Sequence, residues 1–162
     1  MSSWWLFLKP YALTFLASTL PITELRGSIP WALSVFHTNP WLTMVVAIIG
    51  NFIPAFVLLW GLGHIDRVLL SRQSFIKNIY DKVISHTRHK TETKILQYGY
   101  LALLLFVAIP FPGTGVWTGS IAAWIFGLSK KKSLLVICLG AVLAGIVVTL
   151  ITTGTIKFIK IV

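Results

Sequence analysis

The chain has 162 residues, of which 56% are hydrophobic and 11% charged, with a formal net charge of +10. Soluble domains carry about 25% charged residues, so this composition excludes an ordinary soluble enzyme or binding module. The length fits one membrane domain, residues 1–162. The excess positive charge does not point to nucleic acid, because the basic residues sit in short polar segments beside hydrophobic spans and no charged recognition face is present. Cys138 is the single cysteine, so no disulfide framework or Cys-based metal site can form within one chain.

A bilayer core about 30 Å thick needs roughly 20 apolar residues in a helix. The first apolar segment, Trp4–Leu20, is interrupted by Lys9 and Pro10. It lacks a basic leader and a clear cleavage site, which favours retained membrane structure over a signal peptide. Next comes a break, Pro21–Pro30, overlapping a short apolar piece at 28–35 and followed by the polar turn His37–Pro40. Trp41–Gly63 then runs 23 residues without a charge, with Pro54 inside it. Residues 64–94 hold seven basic and three acidic side chains. Ile65, Val68, Leu69, Ile76, Ile79 and Val83 recur there at helical steps, which predicts an amphipathic helix on the membrane surface. Ile95–Ile109 is 15 residues, too short to span comfortably, and it breaks at Pro110–Gly115. Val116–Leu128 adds 13 residues, and Lys130–Lys132 precede Ser133–Ile156, a second uncharged run of 24. A short basic tail closes the chain.

The two halves, about 4–63 and 95–156, follow the same plan: short segment, Pro/Gly break, short segment, full span. Gly27-Ser28-Ile29 and Gly119-Ser120-Ile121 stand at the same point of that plan. Duplicated halves with interrupted hydrophobic segments point to a transporter site. If each short pair returns to the side it entered from, residues 64–94 and Lys130–Lys132 share one face, as the positive-inside rule requires. Lys157 and Lys160 then fall on the other. Full crossing of the short pairs would give the same sidedness, and the short lengths favour re-entry. The expected fold is thus all-α integral membrane. It is an inverted repeat of a re-entrant helical hairpin plus a transmembrane helix, with an amphipathic cytoplasmic helix between the halves.

Non-helical backbone survives at membrane depth only where protein or a water-filled cavity surrounds it. Pro21, Pro30, Pro110, Pro112, Gly113, Gly115 and Gly119 mark the hairpin breaks, which should meet near the midplane. Half-helix N-termini there would favour an anion. Glu24 and Arg26 lie in the first break, and intramembrane ionisable residues mark pathways or proton relays. Glu24 suits proton-coupled exchange, and Arg26 a phosphate or carboxylate held by a forked pair of hydrogen bonds. Their alternative role is to pair charge or to satisfy broken backbone. Gly27, Thr114, Trp117 and Thr118 complete the candidate substrate or ion site, with Trp117 equally open to a packing role. Asn51, polar within a full span, lines the pocket or joins helices.

Other features are better explained without chemistry. His86 and His89 have no third ligand, so a solvated face is favoured over a metal site. Ala141 and Gly145 give small-xxx-small spacing, a packing or dimer signal. Trp4, Trp5, Trp41 and Trp60 suit an aromatic belt. No Walker loop, nucleophile elbow or HExxH is present, so neither an enzyme, a cofactor nor a metal is expected.

The strings ELRGSIP (Glu24–Pro30) and PFPGTGVWTG (Pro110–Gly119) resemble the small multidrug export protein family over nearly the whole chain. That family is similar in layout to the DedA superfamily, with paired re-entrant hairpins and members that flip or scramble lipid carriers. The resemblance implies transport without naming a substrate. In DedA-like proteins an acid of the first hairpin and an arginine of the second are implicated. Glu24 matches the acid by position, while residues 95–128 hold no charge, so Arg26 would have to substitute. The expected function is a small proton-coupled transporter, a flippase of an anionic lipid or lipid carrier. It would work as a homo-oligomer among membrane lipids, in a bacterial-type or archaeal plasma membrane. The alternatives are export of lipophilic cations, with Trp117 as a cation-π platform, and a non-transporting membrane organiser or assembly factor.

Overall fold

A computed structural model describes residues 3–70, 93–159 and 161. Its elements are α1 (Ser3–Thr19), α2 (Glu24–Val35), α3 (Pro40–Leu70), α4 (Thr93–Ala108), α5 (Val116–Ile125) and α6 (Lys130–Ile159), with no strand among the described residues. Each half therefore has two short helices and one long one.

The short helices pair as antiparallel hairpins. In the first half the Asn39 N–H donates to the Tyr11 phenol at 3.4 Å, and Ser18 and Ser28 share a hydrogen bond of 2.6 Å. Contacts thus run from Ser18 and Ser28 beside the turn out to Tyr11 and to Asn39, which follows α2. Thr23 closes the turn by donating its hydroxyl to the Ala17 carbonyl. In the second half the Ser129 N–H donates to the Tyr100 phenol at 3.0 Å. A Cβ added at Gly119 would stand 2.7 Å from Val107. The second hairpin ends at Gly127, whose φ of 66° lets its own N–H reach Trp124 O and that of Leu128 reach Ala123 O. His37, with φ of 51°, follows the last turn of α2 in the same way.

Each long helix admits the first helix of its own half through a glycine. A Cβ at Gly50 would lie 2.6 Å from the Phe15 carbonyl oxygen and 2.9 Å from Ser18 Cβ. One at Gly140 would lie 3.1 Å from the Leu104 carbonyl oxygen and 2.8 Å from Val107 Cβ. Tyr11, Phe15, Ser18, Asn39 and Gly50 correspond in their contacts to Tyr100, Leu104, Val107, Ser129 and Gly140. Burial extends the match, since Leu25, Ser28, Ile29 and Ala32 of α2 pair with Val116, Gly119, Ser120 and Ala123 of α5. Ser28 therefore corresponds to Gly119, not Ser120. Counted from the helix starts at Glu24 and Val116 the shared Gly-Ser-Ile letters align, and the burial pattern sets them one residue apart.

The core lies between α3 and α6, where Ala47, Ala55, Ile137 and Ala144 are almost fully buried alongside Leu25, Ile29, Val107 and Val116 of the hairpins. Leu135, Leu139, Leu143 and Leu150 of α6 face outward, which in water would be an adhesive stripe and in a bilayer meets hydrocarbon. Pro40–Leu62 and Lys130–Ile159 are each long and apolar enough to cross a membrane. Gly145 packs on Ile48 and Met44 of the same chain, so the small-residue spacing at Ala141 and Gly145 serves an internal contact.

Two sequence boundaries are corrected. The first break is only 20–23, since Glu24 to Pro30 are already helical, and the second is 109–115. The predicted amphipathic helix over 64–94 begins as an uninterrupted continuation of α3 to Leu70, because Gly61 and Gly63 weaken a helix without stopping it. Thr93 and Lys94 belong to α4, and residues 71–92, including His86 and His89, lie outside the described residues.

Gly50→Ala is expected to destabilise the bundle by about 1–3 kcal/mol, as overpacking against a rigid carbonyl does. Gly61→Ala, with nothing within 4 Å of its added Cβ, should be neutral or slightly stabilising. Thermal unfolding in detergent compares the two.

Candidate functional site: the hairpin-tip junction

The two hairpin turns meet each other, and the contact is made by capping across the halves. A helix leaves its first N–H groups and last carbonyls without internal partners. In a membrane those groups need protein partners, and each half supplies them to the other.

Arg26, one turn into α2, reaches the end of α4. Its Nη2 donates to Val107 O at 2.9 Å and Ile109 O at 3.0 Å, and its Nη1 donates to Phe111 O at 3.0 Å. A cation at a helix C-terminus also opposes the negative end of the dipole. Thr114 turns back on the same segment, its hydroxyl 2.9 Å from both Ile109 O and Phe111 O. From the other half, the Trp117 indole N–H donates to Thr19 O, the last residue of α1, at 3.2 Å. Arg26 and Trp117 occupy corresponding positions in the burial-based register, so the two ends are capped reciprocally.

Glu24 sits at the centre of this exchange. It is 6% exposed and is the first residue of α2, with φ of 43°. That conformation is uncommon for a residue with a side chain. Its Oε1 accepts the Trp117 backbone N–H at 3.1 Å, so the carboxylate caps the N-terminus of α5. The anion expected at a half-helix N-terminus is therefore the chain's own. Gly115, the residue before α5, has φ of 145° and lies directly against the carboxylate, with an added Cβ only 2.8 Å from Glu24 Cδ and Oε1. Glu24 and Gly115 correspond in the repeat, so like positions of the two halves face each other.

Glu24, Arg26, Thr114, Trp117 and Gly115 thus come together at one place. Gly27 lies in the first turns of α2, donating its N–H to Thr23 O at 2.7 Å. The exposed Thr118 places its hydroxyl 3.4 Å from Gly115 O. Pro21, Pro110, Pro112 and Gly113 are exposed turn residues, Pro30 lies inside α2, and Gly119 is buried in α5 against Val107. Asn51 is 1% exposed in α3, and neither its Oδ1 nor its Nδ2 has a partner. It does not join helices by a side-chain hydrogen bond.

Sequence reasoning missed the Thr19 carbonyl as an acceptor and Gly50 and Gly140 as the packing glycines. Tyr11 and Tyr100, each nine residues before a turn, carry matching hydrogen bonds that the sequence reading did not single out.

No curated protein and no solved structure matches the chain. The family model described as putative small multi-drug export protein matches residues 24–147, well over half of the sequence, and takes in both halves of the tip junction. The chain is a member of that small multi-drug export family, an all-α membrane transport protein.

Proposed function

We propose that the protein is a proton-coupled membrane exporter of lipophilic cations, with Glu24 as the group that exchanges the proton. The observation that carries this reading is a buried carboxylate spanning the junction between two broken hairpins. Protonating Glu24 removes the charge that caps α5, loosening the tips. Deprotonation restores the charge, for which the α5 N-terminus and a substrate cation compete. The flippase reading relied on Arg26 as an anion ligand, but both terminal nitrogens of Arg26 are engaged with carbonyls. Lipophilic cations are therefore the substrate class carried forward.

In this reading the hairpins re-enter from opposite leaflets as an inverted, DedA-like repeat, and the chain works as a homo-oligomer. Three contacts support the opposed arrangement. Gly50, close to the centre of the Pro40–Leu62 span, packs against Phe15 and Ser18 near the end of α1. Gly140 packs against Leu104 and Val107 near the end of α4. With the tips in contact, parallel long helices would bring Met44 and Ile48 beside residues before Gly140. They meet Gly145 instead, as antiparallel helices do.

The test is transport by proteoliposomes under a pH gradient, with a cationic dye and a labelled anionic phospholipid as separate substrates. Wild type should move the dye when the gradient is imposed, and Glu24→Gln should fold but not move it. Dye movement unchanged in Glu24→Gln removes Glu24 from the mechanism. Lipid flipping without dye movement returns the substrate to the anionic class.

A further inference from the structure

We infer that a hydrated polar path for protons runs along the interface of α3 and α6, with the Asn51 amide as its central station. The inference rests on the proposed function for its destination, Glu24, but on separate residues for its existence.

Asn51 stands at the midpoint of the Pro40–Leu62 span, is 1% exposed, and has both amide ends unpaired. Burying an unpaired amide in an apolar interior is costly. A core position with no polar duty would hold leucine, which has a similar volume. Asn51 makes no side-chain bond to protein, so its two ends are free to donate to and accept from water.

Two further side chains of the long helices behave alike. Ser133, 0% exposed, and Thr149, 1% exposed, have hydroxyl oxygens without partners. This is not the habit of hydroxyls in this chain. Thr14, Ser18 and Ser120 donate to carbonyls four residues back at 2.7, 2.8 and 2.7 Å. The unpaired groups also lie at different depths. Ser133 follows Lys130–Lys132 at the start of α6, Asn51 is central, and Thr149 lies a turn beyond Gly145, which touches Met44 and Ile48 near the start of α3. Thr149 shares the face of α6 on which Gly145 meets Ile48, one turn before Asn51, whereas Ser133 shares the Gly140 face toward α4. Buried water satisfies such groups when it has two to four polar partners. Water at Asn51 would be level with the tips, because the adjacent Gly50 packs on Ser18.

Cysteine accessibility in reconstituted membranes tests this directly. In a Cys138→Ala background, Asn51→Cys and Thr149→Cys should react with a small charged thiosulfonate. Ala47→Cys, one turn from Asn51 and 0% exposed at a purely apolar site, should not. Reaction of Asn51→Cys only with a lipophilic maleimide, or with neither reagent, overturns the path. If Asn51→Cys does not assemble, the same two outcomes are read at Thr149→Cys. As a second readout, Asn51→Leu should keep or raise the unfolding temperature while losing gradient-driven proton uptake into dye-loaded vesicles. Unchanged uptake in that variant also overturns the proposal. If Asn51→Cys is labelled while Glu24→Gln still takes up protons, the path stands and the role of Glu24 falls.

Discussion

Replacing Arg26 with glutamine is expected to destabilise the folded protein by about 1.5–3 kcal/mol, the contribution of hydrogen bonding to a charged, half-buried group. Three carbonyls at the end of α4, those of Val107, Ile109 and Phe111, receive donors from this one side chain. A hydrogen bond to a charged group contributes about 1.5–3 kcal/mol, and carbonyls in a bilayer have no water to fall back on. The single Thr114 hydroxyl hydrogen would still be shared by Ile109 and Phe111, but Val107 would lose its Arg26 donor. Arg26→Lys should recover only part of the loss, since one ammonium lacks the planar fork that spreads across three acceptors. Unfolding in mixed detergent, followed by intrinsic tryptophan fluorescence, gives the comparison. Equal stability of wild type and Arg26→Gln would mean that the cap contributes nothing. In that case Arg26 becomes available again as a ligand for an anion.

The membrane class and the two breaks were legible because they rest on composition and on proline and glycine, whose effects are local. The order of two short segments and one full span in each half was legible from their lengths. What each charge touches was not. Glu24 and Arg26 were recognisable as costly residues in an apolar setting, yet their partners are separated from them by more than eighty positions in sequence. The start of α2 was also hidden. Gly27 and Pro30 suggested that the break continued, whereas a helix began at Glu24 because the carboxylate could turn outward from it to cap a helix in the other half. Asn51 shows the opposite case. Its polarity was visible at once, and only the structure separates an amide that joins helices from one that bonds to neither neighbour.

Gly115→Ala should cost about 2–6 kcal/mol, for two separable reasons. A φ of 145° is costly for a residue with a Cβ, about 1–3 kcal/mol. The added Cβ would also overlap the Glu24 carboxylate, lying 2.8 Å from its Cδ. Overpacking of this kind costs about 1–3 kcal/mol. The two parts can be divided by a double-mutant cycle with Glu24→Ala. Shortening Glu24 removes the overlap but leaves the backbone strain, so the Gly115→Ala penalty should be roughly halved in the Glu24→Ala background. A penalty of the same size in both backgrounds would assign the whole effect to φ and leave the carboxylate free of Gly115. A Gly115→Ala protein as stable as wild type would go further, because the tips could then not be packed as closely as a carboxylate on a glycine. The proton-loosened junction would lose its geometric basis. The cycle therefore probes the same contact on which transport is proposed to turn, and it does so without any substrate.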